Sequence, residues 1–210
     1  MNVEILETIL ASIIVSAFYI QGQAYIKPQI YGQAIQSALI SLLAFYLGYE
    51  FRSFDYILLG IAVVFLRSVL VTIFLLRGLK RKPGLRESTR GVASELVIDL
   101  AFFTITVIIV YYLILQKAIL ATEVNPLLLV FSFILFFQGL FLIISRKSTI
   151  SQMLGYVEEE NSLVLFGLLF IPIPFLIEVS VFLDVLALVV ISSILVLEKP
   201  QHSTLEELKG

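Results

Sequence analysis

The residues with the most chemistry to offer lie where charged groups are least expected. Between Arg146 and Glu198 run two apolar segments, each long enough to cross a bilayer, and they carry Glu158, Glu159, Glu160, Glu178 and Asp184. A charge at membrane depth costs about 2.5–3.5 kcal/mol on insertion scales. Groups kept there usually face a bundle interior or a wet cavity, where they relay protons, bind ions or pair with a base. Glu158, Glu159 and Glu160 are consecutive, so on a helix they fan across about 200°. They cannot all face one partner: at least one points to another subunit, or the helix is locally broken or close to water. Glu178 and Asp184 are six apart, which on a helix separates them by about 9 Å along the axis and about 120° around it.

Upstream, Arg67 sits in the middle of an apolar run with ten or more apolar-rich positions on either side. An arginine there reaches neither surface by stretching its stem, and it cannot shed its proton. It needs a carboxylate or water inside the protein, either as a structural ion pair or as a fixed charge acting on nearby acids. Glu95 and Asp99 are four apart and share a helix face. They are either hydrated and paired with Arg86 or Arg90, or they form a proton entry. Gln138 lies mid-way along another apolar run, within reach of an acidic cluster, and Gln33 and Gln36 share a face suited to hydrogen bonds between helices. By position along their runs, Arg67, Gln138, Glu160 and Asp184 form a belt at similar depth. Gln21 and Gln23 read as interfacial, as does Glu7.

The elements that position these groups follow from composition. Of 210 residues, 60% are hydrophobic, and mean hydropathy is +1.04. Soluble domains are about 45–50% apolar, so the chain reads as an all-α integral membrane protein. A spanning helix needs about 20 apolar residues, and the runs predict about seven, near 3–25, 29–49, 54–78, 92–116, 125–145, 149–171 and 174–198. Lys27-Pro28, the charged 79–91 loop, Asn125-Pro126, Arg146–Ser148 and the Pro172/Pro174 pair punctuate them. The whole of 1–210 reads as one transmembrane domain without an internal repeat or a soluble portion. The basic residues set the orientation. With the 79–91 loop in the cytoplasm, 11 of 14 Lys and Arg fall inside, Arg52 and Lys117 fall outside, and Arg67 stays in the membrane. The N-terminus is then outside and the C-terminus cytoplasmic, in the cell membrane. The first residues lack the basic region of a cleaved signal peptide. There is no Cys and a single His, His202, which excludes Cys-ligated iron–sulfur clusters, disulfides and multi-His metal or haem sites within the chain. No nucleophile–base set is present, and no nucleic-acid partner is indicated.

The ordered set Lys147, Gly155-Tyr156, Glu160-Asn161, Glu178 and Asp184 resembles component E of the hydrogenase-4 and formate hydrogenlyase complexes. That family is similar in turn to the small three-helix membrane subunit of complex I and to its counterpart in multisubunit cation/proton antiporters. The tail, Thr204-Leu205 and Leu208-Lys209-Gly210, resembles the family's ending. The likeness covers roughly the last third of the chain, with residues 146–198 as the helix pair similar to the complex I subunit, and a basic residue in the third helix is shared. When Lys147 and Gly155 are lined up with the complex I subunit, its embedded glutamate falls on Val157; the role passes to Glu160 through the Glu-Asn pair. The resemblance implies a membrane-arm subunit of a complex I-like hydrogenase assembly that holds no cofactor itself. A nickel–iron centre and iron–sulfur clusters would reside in partner subunits, and antiporter-like subunits would adjoin it in the bilayer. Arg67, Glu95, Asp99, Gln138, Glu158, Glu160, Glu178 and Asp184 are the candidates for a proton or sodium path. The alternatives are a subunit of a multisubunit antiporter and a non-conducting scaffold. A stand-alone transporter would be expected to show repeats and helices broken by Gly or Pro.

Overall fold

A computed structural model describes residues 2–79, 92–115 and 126–197 of the chain. Among them there is no strand, and the residues fall into seven continuous helical rods. These are α1 (Val3–Gln21), α2 (Ile26–Phe51), α3 (Phe54–Leu79), α4 (Val92–Ile109 continued by Val110–Leu115), α5 (Pro126–Ser145), α6 (Thr149–Phe170) and α7 (Ile173–Leu197). Among the described residues, five stretches are long and apolar enough to cross a membrane: Val3–Gln21, Ile26–Phe51, Phe54–Leu79, Leu127–Ser145 and Ile173–Ser193. In α4 the apolar run is Leu96–Tyr112, and α6 has the length but carries the three glutamates. The chain is an all-helical, multi-pass membrane protein.

The helix ends follow local chemistry. Asn2 caps α1 by accepting a hydrogen bond from the Glu4 amide at 3.0 Å, satisfying one of the free donors of a helix start. α1 stops at Gly22, and α2 begins at Ile26, earlier than the sequence suggests. Pro28 is therefore inside the first turn of α2, where its missing N–H is not needed. α2 ends on Arg52 at φ 50°, a left-handed cap whose N–H returns to the Gly48 carbonyl, with the Ser53 amide on the same carbonyl at 3.1 Å. Pro126 opens α5, and Pro174 lies in the first turn of α7.

α1, α2 and α3 pack in series, as do α5, α6 and α7; α2 meets α6, α1 meets α5, α3 meets α7, and α4 lies against α5. The inner helices are α2 and α6, which bury Gln29, Gln33, Gln36, Ser37 and Ser41 on one and Ser151, Glu158, Glu160, Asn161 and Ser162 on the other. The outer faces carry exposed Val, Leu, Ile and Phe side chains such as Val15, Phe65, Phe182 and Val189. Burying polar groups and exposing apolar ones is what a lipid solvent favours. α5 and α6 are the closest pair, because Gly139 and Gly155 face one another. A Cβ at Gly139 would lie 2.9 Å from the Gly155 carbonyl oxygen. Small residues at such contacts let two membrane helices approach closely.

The apolar interior is divided in two. One cluster, with Leu6, Leu10, Leu43, Leu59, Leu135 and Leu165, occupies the end of the bundle where α1 starts. A second, with Ile20, Ile30, Leu75, Leu142 and Leu154, lies toward the end where α1 finishes. The two ends are called here the Leu6 end and the Gln21 end.

Within α3 the residues Val64–Val71 form a π-helix centred on Arg67. Leu59, Val63, Arg67, Val71, Leu75 and Leu79 are all buried at a strict spacing of four. In an α-helix, a step of four overshoots a full turn by about 40°, so such a stripe would wind off the face. A π turn is wider and rotates the chain less per residue. The insertion thus brings the stripe back, and Arg67 remains pointed into the bundle.

Candidate functional site

Arg67 is the fourteenth of 26 residues in α3, which puts about 18–20 Å of helix on either side. Asp184 and Glu160 are each twelfth in their helices, of 25 and 22 residues. Three helices thus bring one base and two acids to one depth. Arg67 is 1% exposed, Asp184 0% and Glu160 2%. The guanidinium is held at each of its nitrogens. Nε donates to Asp184 Oδ1 at 2.5 Å, Nη1 to Asn161 Oδ1 at 3.2 Å, and Nη2 to Ser180 Oγ at 3.0 Å. Glu160 Oε2 stands 3.9 Å from Nε, an ion-pair distance rather than a hydrogen bond. The planar fork of arginine suits this set; a lysine would offer one point charge. Arg67 balances one of the two carboxylates by contact. The second negative charge must be balanced by a proton or another cation, since an unpaired buried charge is expensive.

Polar groups continue from this cluster in one direction. Asn161 donates to Gln36 Oε1 at 3.0 Å and to Ser37 Oγ at 3.1 Å, and Gln33 donates to Gln36 Oε1 at 3.2 Å. Glu158 is wholly buried beside Gln36 and within charge range of Asp99. Asp99 lies beside the Gln138 amide and within charge range of Arg146. Gln21 donates to the Gln138 carbonyl at 3.0 Å and to its side-chain oxygen at 3.2 Å, and Arg146 donates to the Gln21 carbonyl. Arg67, Asn161, Gln36, Glu158, Asp99, Gln138, Gln21 and Arg146 therefore succeed one another from mid-depth to the Gln21 end. Neither carboxylate oxygen of Glu158 or Asp99 has a hydrogen-bond partner among the described residues. On the other side of Arg67, the Leu6-end cluster is built of Leu, Ile, Val and Ala. Among the described residues, the polar string runs from mid-depth toward the Gln21 end and does not continue into that cluster.

The residues anticipated from sequence divide accordingly. Arg67, Glu160 and Asp184 come together at mid-depth. Glu158, Asp99 and Gln138 belong to the string rather than to that cluster. Gln138 misses it because α5 faces α1 and α6, whereas Arg67 looks toward α6 and α7. Glu178 does not join either group: it is exposed on the outer face of α7, as the 120° offset from Asp184 allows. The Glu95 side chain and the bases Arg86 and Arg90 lie outside the described residues. Gln21 is buried at 2% rather than interfacial, because its amide reaches Gln138 on a distant part of the chain. Glu7 is exposed. Ser180, Ser37 and Arg146 enter the network without prominence in the sequence. The signal available for the first was its place four residues before Asp184, on the same helical face.

No protein-family model, curated protein or solved structure matches the chain.

Proposed function

We propose that the chain is a membrane-arm subunit of a complex I-like energy-converting assembly, and that its buried charges take part in proton or sodium movement coupled to electron transfer. The observation that carries this reading is the mid-depth cluster of Arg67, Glu160 and Asp184, continued by polar groups to one end of the bundle and stopped by apolar packing toward the other. A base with two acids holds one negative charge that a mobile proton or cation can balance. A string reaching one face supplies that ion from one side. Passage onward then requires a neighbouring subunit or a rearrangement, which agrees with a role inside a larger complex. In this reading all seven helices span the cytoplasmic membrane with the N-terminus outside, and the Gln21 end, which adjoins the basic 79–91 loop, faces the cytoplasm. The partner module, a nickel–iron hydrogenase or formate hydrogenlyase with antiporter-like membrane subunits, follows from the resemblance of the Glu160-Asn161, Glu178 and Asp184 pattern. The redox centres belong to those partners, and this chain's part is to hold, balance and pass charge.

A scaffold role is favoured by one specific feature, the complete engagement of the Arg67 guanidinium by Asp184, Asn161 and Ser180. Affinity purification of the tagged full-length chain from its native membranes, in mild detergent, tests the assembly. The expected result is co-purification with hydrogenase large and small subunits and antiporter-like subunits. A chain recovered alone and monodisperse would overturn the proposal.

A further inference from the structure

Of the three consecutive glutamates, two turn inward and one does not. Glu158 and Glu160 are buried at 0% and 2%. Glu159 is half-buried, and its buried carboxylate oxygen Oε1 has no hydrogen-bond partner among the described residues. It is the eleventh of 22 residues in α6, so about 15 Å of helix separates it from either end. That matches half of the roughly 30 Å hydrocarbon thickness. A glutamate has too short a stem to reach headgroups from there, and no headgroup amine descends to that depth.

What lies next to Glu159 is shaped rather than flat. Glu159, Ser162, Leu163 and Phe166 follow one another at helical spacing along one face of α6. Across from them, Ser132, Phe133 and Phe136 of α5 complete a groove of about 200 Å³ with Ser162, Leu163 and Phe166. Gly139, one turn beyond Phe136, lets the Glu159 stem cross α5, since a Cβ there would stand 2.9 Å from Glu159 Cγ. The two serine hydroxyls turn back on their own helices, to the Leu129 and Glu159 carbonyls. The groove is therefore apolar, and Glu159 follows it one turn along the same face of α6.

We propose that this groove is the docking surface for a transmembrane helix of a different protein, one carrying a lysine or arginine at mid-membrane depth opposite Glu159. Charge complementarity selects the partner. A half-buried carboxylate at this depth, with a buried oxygen that no described residue partners, is costly, and a base on an incoming helix removes that cost. Among its described residues, a second copy of this chain lacks the required group. Arg67 is its only described base at mid-depth, and it is buried and engaged by Asp184. The surface is separate from the Arg67 cluster and stands whether or not that cluster moves ions.

Photo-crosslinking in native membranes tests the proposal, with p-benzoylphenylalanine replacing Leu163 in the groove or Val15 on the exposed face of α1. The expected result is a protein adduct from position 163 and not from position 15. Its peptide should come from a spanning segment of another protein with a Lys or Arg within the span. Glu159→Gln, which keeps shape and folding, should lower the adduct at least about tenfold per unit of inserted chain. Glu159→Lys should abolish it, and a reciprocal Lys or Arg→Glu change in the partner should restore it. Adducts with lipid only, with a second copy of this chain, or with a helix lacking a base would overturn the proposal. So would an adduct indifferent to Glu159→Gln.

Discussion

Removing the Arg67 charge is the perturbation whose consequence the geometry predicts most fully. Arg67→Met keeps the length and apolar stem but leaves Asp184, Glu160, Asn161 and Ser180 facing no base. Breaking a buried pair by deleting one partner costs about 3–5 kcal/mol. For a chain of this size, about 2–4 °C in Tm accompanies each kcal/mol, so a loss on the order of 10 °C is expected. Asp184→Asn is milder, because Glu160 remains 3.9 Å from the guanidinium and can take its charge; about 1–3 kcal/mol is expected for the charged hydrogen bond. Glu160→Gln is mildest, since the 2.5 Å contact with Asp184 is untouched. Arg67→Lys falls between the first two: it keeps the charge but cannot serve three acceptors on three sides. The assay heats native membranes, extracts them with detergent, and quantifies the full-length chain that remains soluble. The predicted order of loss is Arg67→Met, Arg67→Lys, Asp184→Asn, Glu160→Gln. An Arg67→Met chain as heat-resistant as the parent, or a Glu160→Gln chain weaker than Asp184→Asn, would show that Arg67 and Asp184 are not the pair that ties α3 to α7.

Gly139→Val should separate α5 from α6, because its branched side chain would meet the Gly155 carbonyl and the Glu159 amide; overpacking of this kind costs about 1–3 kcal/mol, read as reduced chain level in membranes heated as above. Asn161→Leu should cost about 1–3 kcal/mol, since Arg67 Nη1 and Gln36 Oε1 each lose a partner, and Asn161→Ser should recover part of that in the same assay. A cysteine replacing Gly84 in this Cys-free chain should resist impermeant thiol reagents added outside intact cells and react in inverted vesicles; labelling from outside would reverse the orientation.

The helices were readable because their boundaries are set locally, by apolar run length, by Pro126 and Pro174 and by the charged 79–91 stretch of sequence. The pairing of Arg67 with acids was readable for a similar reason: a base that cannot ionise differently, in an apolar run, leaves few options. The particular partners were not. Gln21 is last in its helix and looks interfacial until α1 is packed on α5, where Gln138 meets it. Gln138 looks level with Arg67 by count, yet depth along separate helices says nothing of which face they share. Glu178 and Asp184 are both acids in one helix, and rotation alone sends one outward. The π-helix left a trace in the four-residue spacing from Leu59 to Leu79. That spacing departs from the α-helical period by an amount easily taken for ordinary variation.

The most direct test of a role in ion movement is coupled activity per assembled complex. Glu160→Gln and Asp184→Asn both preserve shape, and both remove a group able to exchange a proton or cation at the Arg67 cluster. Ion transport should be measured in membrane vesicles beside electron transfer by the detached soluble module, with complex quantified independently. Normal assembly and normal soluble electron transfer are expected, with ion movement per complex reduced about tenfold or more, as for loss of a proton-transfer group. Fewer complexes with unchanged transport per complex, in both variants, would contradict a role in ion movement and leave the cluster a structural tie between helices.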